Sequence, residues 1–170
     1  MELRRESTLC FSGHRAVRRE EREALYERVL RSVDIFVRRG YDTFICGGAV
    51  GFDTMAAEAV AEKKRMHPHI RLVLALPCRD QTAKWKNTDA LFTYKKLLGE
   101  ADEVVYASNF YTAECMHIRN RYMVENSSAC ICYKYNERGG TAYTVKYAEK
   151  QGLEIINLAA RTEQLTIDFS

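Results

Sequence analysis

The sequence has little of what marks a membrane-spanning, secreted or strongly nucleic-acid-coating protein. No apolar run approaches the roughly 18 residues that a membrane span needs, and the amino terminus, MELRRESTLC, has no apolar signal region. The formal net charge is only +3, which permits an anionic ligand but does not require one. Two prolines and nine glycines are spread along 170 residues without forming a linker. These absences predict a cytoplasmic protein with no membrane partner.

The cysteines lack the spacing of a metal site or a disulfide framework. There is no C-x-x-C pair among the six, and most of them stand inside apolar runs, where cysteine behaves as a small hydrophobic residue. Cys130 and Cys132 are two positions apart on a predicted strand and should point to the same side of it. We therefore expect no metal and six reduced thiols: Cys10, Cys46, Cys78, Cys115, Cys130 and Cys132.

What is present is an alternation of short apolar segments with helix-length amphipathic segments. This pattern predicts an α/β fold: a Rossmann-like, mostly parallel sheet with helices on both faces, in a single domain. Hydrophobic residues make up 46% of the chain and charged residues 29%, as in an ordinary globular domain. The predicted domain covers residues 1–160, and residues 161–170 form a tail. The predicted strands are 8–12, 43–46, 71–76, 103–106, 129–133 and 154–157.

Helices are predicted from periodic apolar residues and from residues that start or stop a helix. The first helix carries Leu25, Val29, Val33, Phe36 and Val37 at helical spacing and is closed by Gly40. Pro77 is expected to end the third strand, and Thr88 is a candidate N-cap for the helix that follows. Three more helices are expected: one with Phe52, Met55, Ala56, Ala59 and Val60 inward, one over about 113–126, and one that ends near Gln151 with Gly152 as its cap.

Three loops at the carboxyl ends of predicted strands contain unusual residues. Ligands of open α/β sheets bind at that edge, and glycines there let backbone N–H groups approach an anion at a helix N-terminus. The loops are Ser12-Gly13-His14-Arg15, Gly47-Gly48-Ala49-Val50-Gly51-Phe52-Asp53 and Arg138-Gly139-Gly140-Thr141. None of them is a Walker A loop or a G-x-G-x-x-G fingerprint. The loops favour phosphate recognition over turns that are glycine-rich for geometry alone.

Four further side chains have both a structural and a functional interpretation. Arg119 is either an ion-paired structural residue on a partly apolar helix face or a clamp for a phosphate or carboxylate. Asp53 is either a partner of its helix dipole or a residue that holds a ribose or acts as a base. Trp85 and Gln81 either pack their own loop or cover a nucleotide base.

Taken together and in order, five motifs resemble the YpsA-like branch of the SLOG superfamily, to which DprA and the LOG phosphoribohydrolases are related. The resemblance extends over about residues 8–158, and its motifs are FSGHR, CGGAVGFDTMAAEAV, LPCRDQTAKW, CMHIRNRYMVENS and GGTAYTVKYA. The resemblance implies a Rossmann-like fold, a homodimer, and binding or sensing of nucleotide-related ligands such as NAD or ADP-ribose.

A departure from the LOG enzymes bears on catalysis. Those enzymes use an arginine in E-R-K-x-x-M and a glutamate in P-G-G-x-G-T-x-x-E; here Arg119, followed by Asn120, takes the place of the arginine, and Lys146 takes the place of the glutamate. An oxocarbenium-like transition state needs a nearby carboxylate, which a lysine does not supply. Asp53, Glu58 and Glu114 are the candidate substitutes.

Three hypotheses follow. The first is a module that binds or senses a nucleotide or nucleotide-derived phosphate through Ser12, Gly13, His14, Arg15, Gly47, Gly48, Gly51, Asp53, Gln81, Trp85, Arg119, Asn120, Gly139, Gly140 and Thr141. The second is an N-glycosidase or phosphoribohydrolase-type enzyme that uses Arg119 with Asp53 or Glu58. The third is single-stranded DNA binding as in DprA, for which the basic residues around Arg15 and Lys84 are few.

Overall fold

The computed structural model describes residues 2–159, in which six strands alternate with five helices. The strands are β1 (Thr8–Gly13), β2 (Thr43–Cys46), β3 (Arg71–Cys78), β4 (Glu103–Ser108), β5 (Ala129–Tyr133) and β6 (Glu154–Asn157). The helices are α1 (Arg22–Arg38), α2 (Phe52–Met66), α3 (Thr88–Glu100), α4 (Cys115–Glu125) and α5 (Gly139–Lys150). The predicted C-terminal tail, residues 161–170, lies outside the described residues.

All six strands form one parallel sheet in the order β4-β3-β2-β1-β5-β6. The chain lays down β1 to β4 in one direction and then returns to place β5 on the other side of β1. The strand order therefore reverses between β1 and β5, which is the switch point at which open α/β sheets bind ligands. The predicted Rossmann-like α/β fold, in a single domain, is confirmed.

The sheet is buried on both faces because its side chains alternate between two cores. Leu9 and Phe11 of β1 pack in the core with α1, α2 and α3, whereas Cys10 between them packs in the core with α4 and α5. The predicted inward faces of the first two helices are buried as expected: Leu25, Val29, Val33 and Phe36 on α1, and Phe52, Met55, Ala56, Ala59 and Val60 on α2.

Three boundary predictions were wrong. β4 continues to Ser108 instead of ending at Tyr106. Pro77 does not end β3, which continues to Cys78; β2 pairs with β3 only as far as Leu74, so the missing N–H lies beyond that pairing. Thr88 is not the N-cap of α3. Asn87 is, because its Oδ1 accepts hydrogen bonds from the N–H groups of Asp89 (2.9 Å) and Ala90 (3.1 Å).

All six cysteines are buried and free. Cys130 and Cys132 lie in the same core with Cys10, which confirms that they point to one side of the sheet. Within the described residues, no three histidine, cysteine or acidic side chains gather closely enough to hold a metal ion. No helix in residues 2–159 combines the length and the apolar character needed to cross a bilayer.

Candidate functional site

A cavity of about 320 Å³ opens at the switch point, between the carboxyl ends of β1 and β5; we call it the switch-point cavity. It brings together ten of the predicted ligand-binding residues: Ser12, Gly13, His14, Arg15, Asp53, Arg119, Asn120, Gly139, Gly140 and Thr141. These residues come from the end of β1 and the loop after it, the start of α2, the middle of α4 and the start of α5. The fold thus gathers residues that are more than a hundred positions apart in the sequence.

Arg119 lies in the wall of this cavity and is only 4% exposed. Its Nη1 donates to the carbonyl oxygens of Gly47 and, at 3.3 Å, Ala75, and its Nε donates to Asn120 Oδ1 at 2.7 Å. Among residues 2–159, Nη2 has the sulfur of Met116 at 4.0 Å as its hydrogen-bond partner, and thioether sulfur is a weak acceptor. Nη1 therefore anchors the helix to the sheet, whereas Nη2 has only a weak acceptor in this part of the chain.

Asp53 is the buried carboxylate of the cavity, 7% exposed in the first turn of α2. Its Oδ2 accepts a long hydrogen bond of 3.4 Å from the N–H of Ala49. Burial raises the pKa of Asp53 to about 6, against the opposing influence of Arg119, the Ala49 N–H and Arg15. Asp53 therefore holds a proton more readily than an ordinary aspartate, a property that often accompanies a functional site.

The start of α5 presents an uncapped helix end to the cavity. Arg138, at the N-cap position, makes no side-chain capping hydrogen bond, and Asn136 Oδ1 instead accepts from the N–H of Arg138 at 3.0 Å. A β-carbon added to Gly139 or Gly140 would meet nothing within 4 Å, but the φ of 85° at Gly139 itself favours glycine, so only Gly140 has neither a packing nor a backbone reason to be glycine. Free N–H groups at a helix N-terminus attract anions, and glycine lets an anion come close to them.

The glycines after β2 have different surroundings. Gly47, Gly48 and Gly51 do not line the switch-point cavity. A β-carbon on Gly47 would be 2.7 Å from both Arg119 Nη1 and Asp53 Oδ2, and a β-carbon on Gly51, where φ is 85°, would collide with the carbonyl oxygen of Arg15. These glycines make room for the charged residues and for the neighbouring loop.

His14 faces the cavity beside two tyrosines. Its ring lies 4.2 Å from that of Tyr135, and its Nε2 is buried without a hydrogen-bond partner in the described chain. Burial, and then the charge of Lys134, lowers the pKa of His14, so the ring is neutral near pH 7. A neutral imidazole can either donate to or accept from a ligand at Nε2.

The remaining predicted residues lie elsewhere. Gln81 and Trp85 line a second cavity of about 450 Å³, which adjoins the first. Glu58 lines a third cavity, among α1, α2 and α3, and is not brought to Asp53 and Arg119. Lys146 and Glu114 are exposed and line none of these cavities.

Six residues that line the switch-point cavity are not among the predicted ligand-binding residues: Phe11, Ala49, Met116, Met123, Arg138 and Thr144. A signal for the two methionines was available, because positions 116, 119, 120 and 123 fall on one side of a helix. Arg138 was noted within its loop but not as a contact residue. Its place before two glycines at a helix start, within reach of an anion, was the signal for it.

Comparison with known proteins gives matches along most of the chain. The YspA SLOG family, whose model is named YpsA, matches residues 9–161. The uncharacterized SPbeta prophage-derived protein YoqJ of Bacillus subtilis (strain 168) is 31% identical over 119 residues, which cover 63% of this chain and 69% of that protein. A UPF0398 protein of Bacillus cereus is 27% identical over 133 residues, which cover 76% of this chain and 72% of that protein.

Two solved structures share the fold. DNA processing protein A (DprA) from Streptococcus pneumoniae has a TM-score of 0.62 and 15% identity, over 87% of this chain and 48% of its own. DprA from Helicobacter pylori, described for its single-stranded DNA binding mode, has a TM-score of 0.62 and 14% identity, over 87% of this chain and 63% of its own. The chain thus spans less than two thirds of either DprA chain, and identities this low indicate a shared fold alone.

Proposed function

We propose, from the premise that this chain belongs to the YspA SLOG family, that its switch-point cavity binds or senses a nucleotide or a nucleotide-derived phosphate such as NAD or ADP-ribose. One observation carries the proposal. The uncapped start of α5 and Arg119, whose Nη2 has only the weak thioether acceptor of Met116 among residues 2–159, line one cavity at the point where the strand order reverses. Each feature favours an anion, and the switch point is where such folds bind nucleotides.

The ligand is held by complementary groups. The N–H groups at the start of α5 and the guanidinium of Arg119 bind the phosphate oxygens, with the charges of Arg15 and Arg138 at the rim. Asp53, buried beside Arg119, accepts from a ribose hydroxyl. Asn120 Oδ1 fixes the Arg119 side chain at 2.7 Å, so the guanidinium is oriented before the ligand arrives.

A thermal-shift assay with AMP, ADP-ribose and NAD tests the proposal on the wild-type chain and on two matched glycine variants. At about one hundred times its Kd, a ligand that binds only the folded state stabilises it by about 2.7 kcal/mol, which raises the Tm of a chain of this size by about 5–10 °C. Gly140→Val places a branched side chain in the anion-binding position. Gly99→Val makes the same change on exposed α3, where an added β-carbon also meets nothing within 4 Å.

We expect at least one of the three ligands to stabilise the wild type and Gly99→Val but not Gly140→Val. Both variants should unfold cooperatively without ligand, since neither position is packed. If the ligand raises the Tm of Gly140→Val as much as that of Gly99→Val, the start of α5 is not part of the binding site. No shift with any of the ligands would contradict the proposal as a whole.

A second candidate function rests on Asp53. A carboxyl group with a pKa of about 6 in the same cavity as an arginine is suited to general acid–base catalysis near neutral pH. In an N-glycosidase reaction, water would add to C1′ of the ribose, the bond from C1′ to the base nitrogen would break, and the base would leave with a proton. Asp53 would then fill the role for which Lys146 is unsuited.

Incubation of the protein with AMP, followed by chromatography, separates a sensor from this enzyme. If the enzyme is correct, adenine and ribose 5-phosphate accumulate with the wild type, are unchanged in Glu58→Gln, and fall at least about a hundredfold in Asp53→Asn. Glu58 is the matched control because it lines a different cavity. If the protein binds AMP but AMP is still intact after prolonged incubation, the N-glycosidase hypothesis is wrong and the binding or sensing hypothesis remains.

Single-stranded DNA binding is a third alternative, drawn from the DprA fold. The basic residues near the cavity are interrupted by acidic ones, which would repel DNA phosphates. Arg18 Nη1, for example, lies 3.9 Å from Glu21 Oε1. Binding through phosphates would weaken steeply as salt is added, whereas a small ligand held in a cavity would respond much less. Filter retention of an oligonucleotide at increasing salt distinguishes the two.

A further inference from the structure

The second cavity is continuous with the switch-point cavity. The two share Arg15, Ala49 and Met116 in their walls. The rest of the second cavity is formed by the loop after β2, by the end of β3 with the loop that follows it, which contains Gln81 and Trp85, and by the loop before α4, which contains Tyr111. A ligand anchored in the first cavity can therefore extend past Arg15 into the second.

The character of the second cavity differs from that of the first. It is the larger of the two, about 450 Å³ against about 320 Å³, and an indole ring forms part of its wall. Trp85 makes an edge contact with Tyr94, with ring centroids 5.3 Å apart and planes at 71°. Such a contact uses at most one face of the indole, which leaves the other for a flat aromatic group. Tyr111, 71% exposed, adds a second aromatic wall.

One polar atom in this wall is unsatisfied. Gln81 Nε2 donates a long hydrogen bond of 3.5 Å to the carbonyl oxygen of Gly48. Gln81 Oε1 is buried with no hydrogen-bond partner in the described chain. A buried acceptor in this state is costly, and a ligand N–H that pairs with it removes the cost.

We infer that the ligand is a 5′-nucleotide whose base carries an amino group, with its phosphate in the switch-point cavity and its base in the second cavity. The inference rests on the proposed function and deepens it, by assigning the base rather than the phosphate. The base stacks on Trp85 and its amino group donates to Gln81 Oε1. Arg15, exposed at the junction and shared by both cavities, lies against the sugar-phosphate link.

The chain offers a direct reporter, because Trp85 is its single tryptophan. AMP and ribose 5-phosphate are titrated while Trp85 fluorescence, excited at a wavelength where adenine does not absorb, and the Tm are both followed. We expect both compounds to raise the Tm, only AMP to quench the fluorescence, and AMP to bind at least about tenfold more tightly, as base stacking on an aromatic side chain predicts.

The amino group is tested with purine riboside 5′-monophosphate, which differs from AMP only in lacking it. We expect AMP to bind about fivefold more tightly than this analogue to the wild type. Gln81→Met removes the amide at similar size, and the preference for AMP should disappear. Gln151→Met, a change of the same residue type at an exposed position on the far end of α5, should keep it.

The failures are distinguishable. If ribose 5-phosphate raises the Tm but AMP binds no more tightly and leaves the fluorescence of Trp85 unchanged, the base does not occupy the second cavity and the inference is overturned while the proposed function stands. If AMP quenches but the preference survives in Gln81→Met, the assignment of the amino group to Gln81 is overturned. If neither compound binds, the proposed function falls and the inference falls with it.

Discussion

Asp53 and Arg119 show how two opposite charges can be buried together without forming a direct ion pair. Arg119 directs its Nη1 to the carbonyl oxygens of Gly47 and Ala75, and the carboxylate of Asp53 lies on the same side of Gly47. Burial dominates the behaviour of both groups: it raises the pKa of Asp53 and lowers that of Arg119. A ligand with a phosphate and a hydroxyl group would complete the hydrogen bonds of both.

The raised pKa of Asp53 predicts a distinctive dependence of stability on pH. The folded protein binds the proton of the Asp53 carboxyl more tightly than the unfolded chain does. The contribution of this group to the free energy of unfolding is therefore full below about pH 4 and is lost as the pH rises through about 6. Asp53→Asn cannot ionise. We expect its free energy of unfolding, measured in urea, to rise relative to that of the wild type between pH 4 and pH 7, by up to about 3 kcal/mol.

Other carboxylates do not disturb this comparison. Asp34, in hydrogen bonds with Lys63 and His67, and Glu154, in a hydrogen bond with Arg39, have lowered pKa values, so their contributions are lost as the pH falls. The contributions of Asp34 and Glu154 are the same in the wild type and in Asp53→Asn, so they cancel when the two free energies of unfolding are subtracted. If this difference in free energy stays constant from pH 4 to pH 7, Asp53 titrates normally.

Gly51 provides a test of the loop after β2. Gly51 and Gly152 have almost the same positive φ, 85° and 83°, but an added β-carbon at Gly51 would collide with the backbone of Arg15, whereas at Gly152 it would meet nothing within 4 Å. Gly152→Ala should cost about 1 kcal/mol for the left-handed conformation alone. Gly51→Ala should cost at least about 1 kcal/mol more in urea unfolding; equal losses would mean that the two loops do not press on each other.

At the residue scale the sequence could predict which loops meet at the edge of the sheet, but it could not predict which groups each glycine contacts. The motif around Gly47, Gly48 and Gly51 reads the same whether the glycines touch a ligand or admit a neighbouring side chain. The difference depends on Arg15 and Arg119, which reach this loop only through the tertiary fold. Glu58 illustrates the same limit, because no local pattern tells that its helix turns it towards α1 and α3 rather than towards the switch point.

Among the elements, α3 was predicted correctly and its first residue was not. Asparagine and threonine are both good N-cap residues, so adjacent Asn87 and Thr88 cannot be separated by preference. Asn87→Ala should lower the free energy of unfolding by about 1 kcal/mol, because it removes the acceptor for the N–H groups of Asp89 and Ala90. Thr88→Ala, the matched control one residue on, should change it by less than about 0.5 kcal/mol in the same urea titration. If Thr88→Ala lowers the free energy of unfolding more than Asn87→Ala does, Thr88 is the N-cap residue.

The strands were predictable because each is a short, nearly continuous apolar run, as expected in a sheet covered on both faces. The end of β3 was not. A strand can continue through proline only where no neighbouring strand needs the missing N–H as a hydrogen-bond donor. Here β2 stops pairing with β3 at Leu74, before Pro77, and that end is set by the sheet and not by the local sequence.

For the whole molecule, the burial of every cysteine makes thiol reactivity a measure of global unfolding. Burial raises the pKa of Cys46, Cys78 and Cys132, and that of Cys130 is raised first by its hydrogen bond with Cys10. Thiolate is the reactive form, so Ellman's reagent should react slowly with the native protein and with six thiols per chain in guanidinium chloride. Cys78, which lines the second cavity, should react first, and Cys78→Ser should remove this earliest phase. Rapid reaction of several native thiols would contradict the buried arrangement.

The sequence indicated a parallel sheet with helices on both faces, yet it did not give the order of the strands. Alternating strands and helices are compatible with several orders, and the choice lies in long-range pairing, such as that of Leu9 with Ala129. The position of the switch point, and hence the joining of the loops after β1 and β5 in one cavity, follows from that pairing.

The placement of β1 between β2 and β5 has a consequence for the protein as it leaves the ribosome. The nascent chain can pair β1 with β2 early, but the opposite edge of β1 has no partner until Ala129–Tyr133 has been translated. An open edge of this kind invites other chains to add to it. Translation that stalls before β5 would therefore release a fragment prone to aggregation, and a ligand of the switch-point cavity could not rescue it, because the five wall residues from Arg138 to Thr144 would not yet have been made.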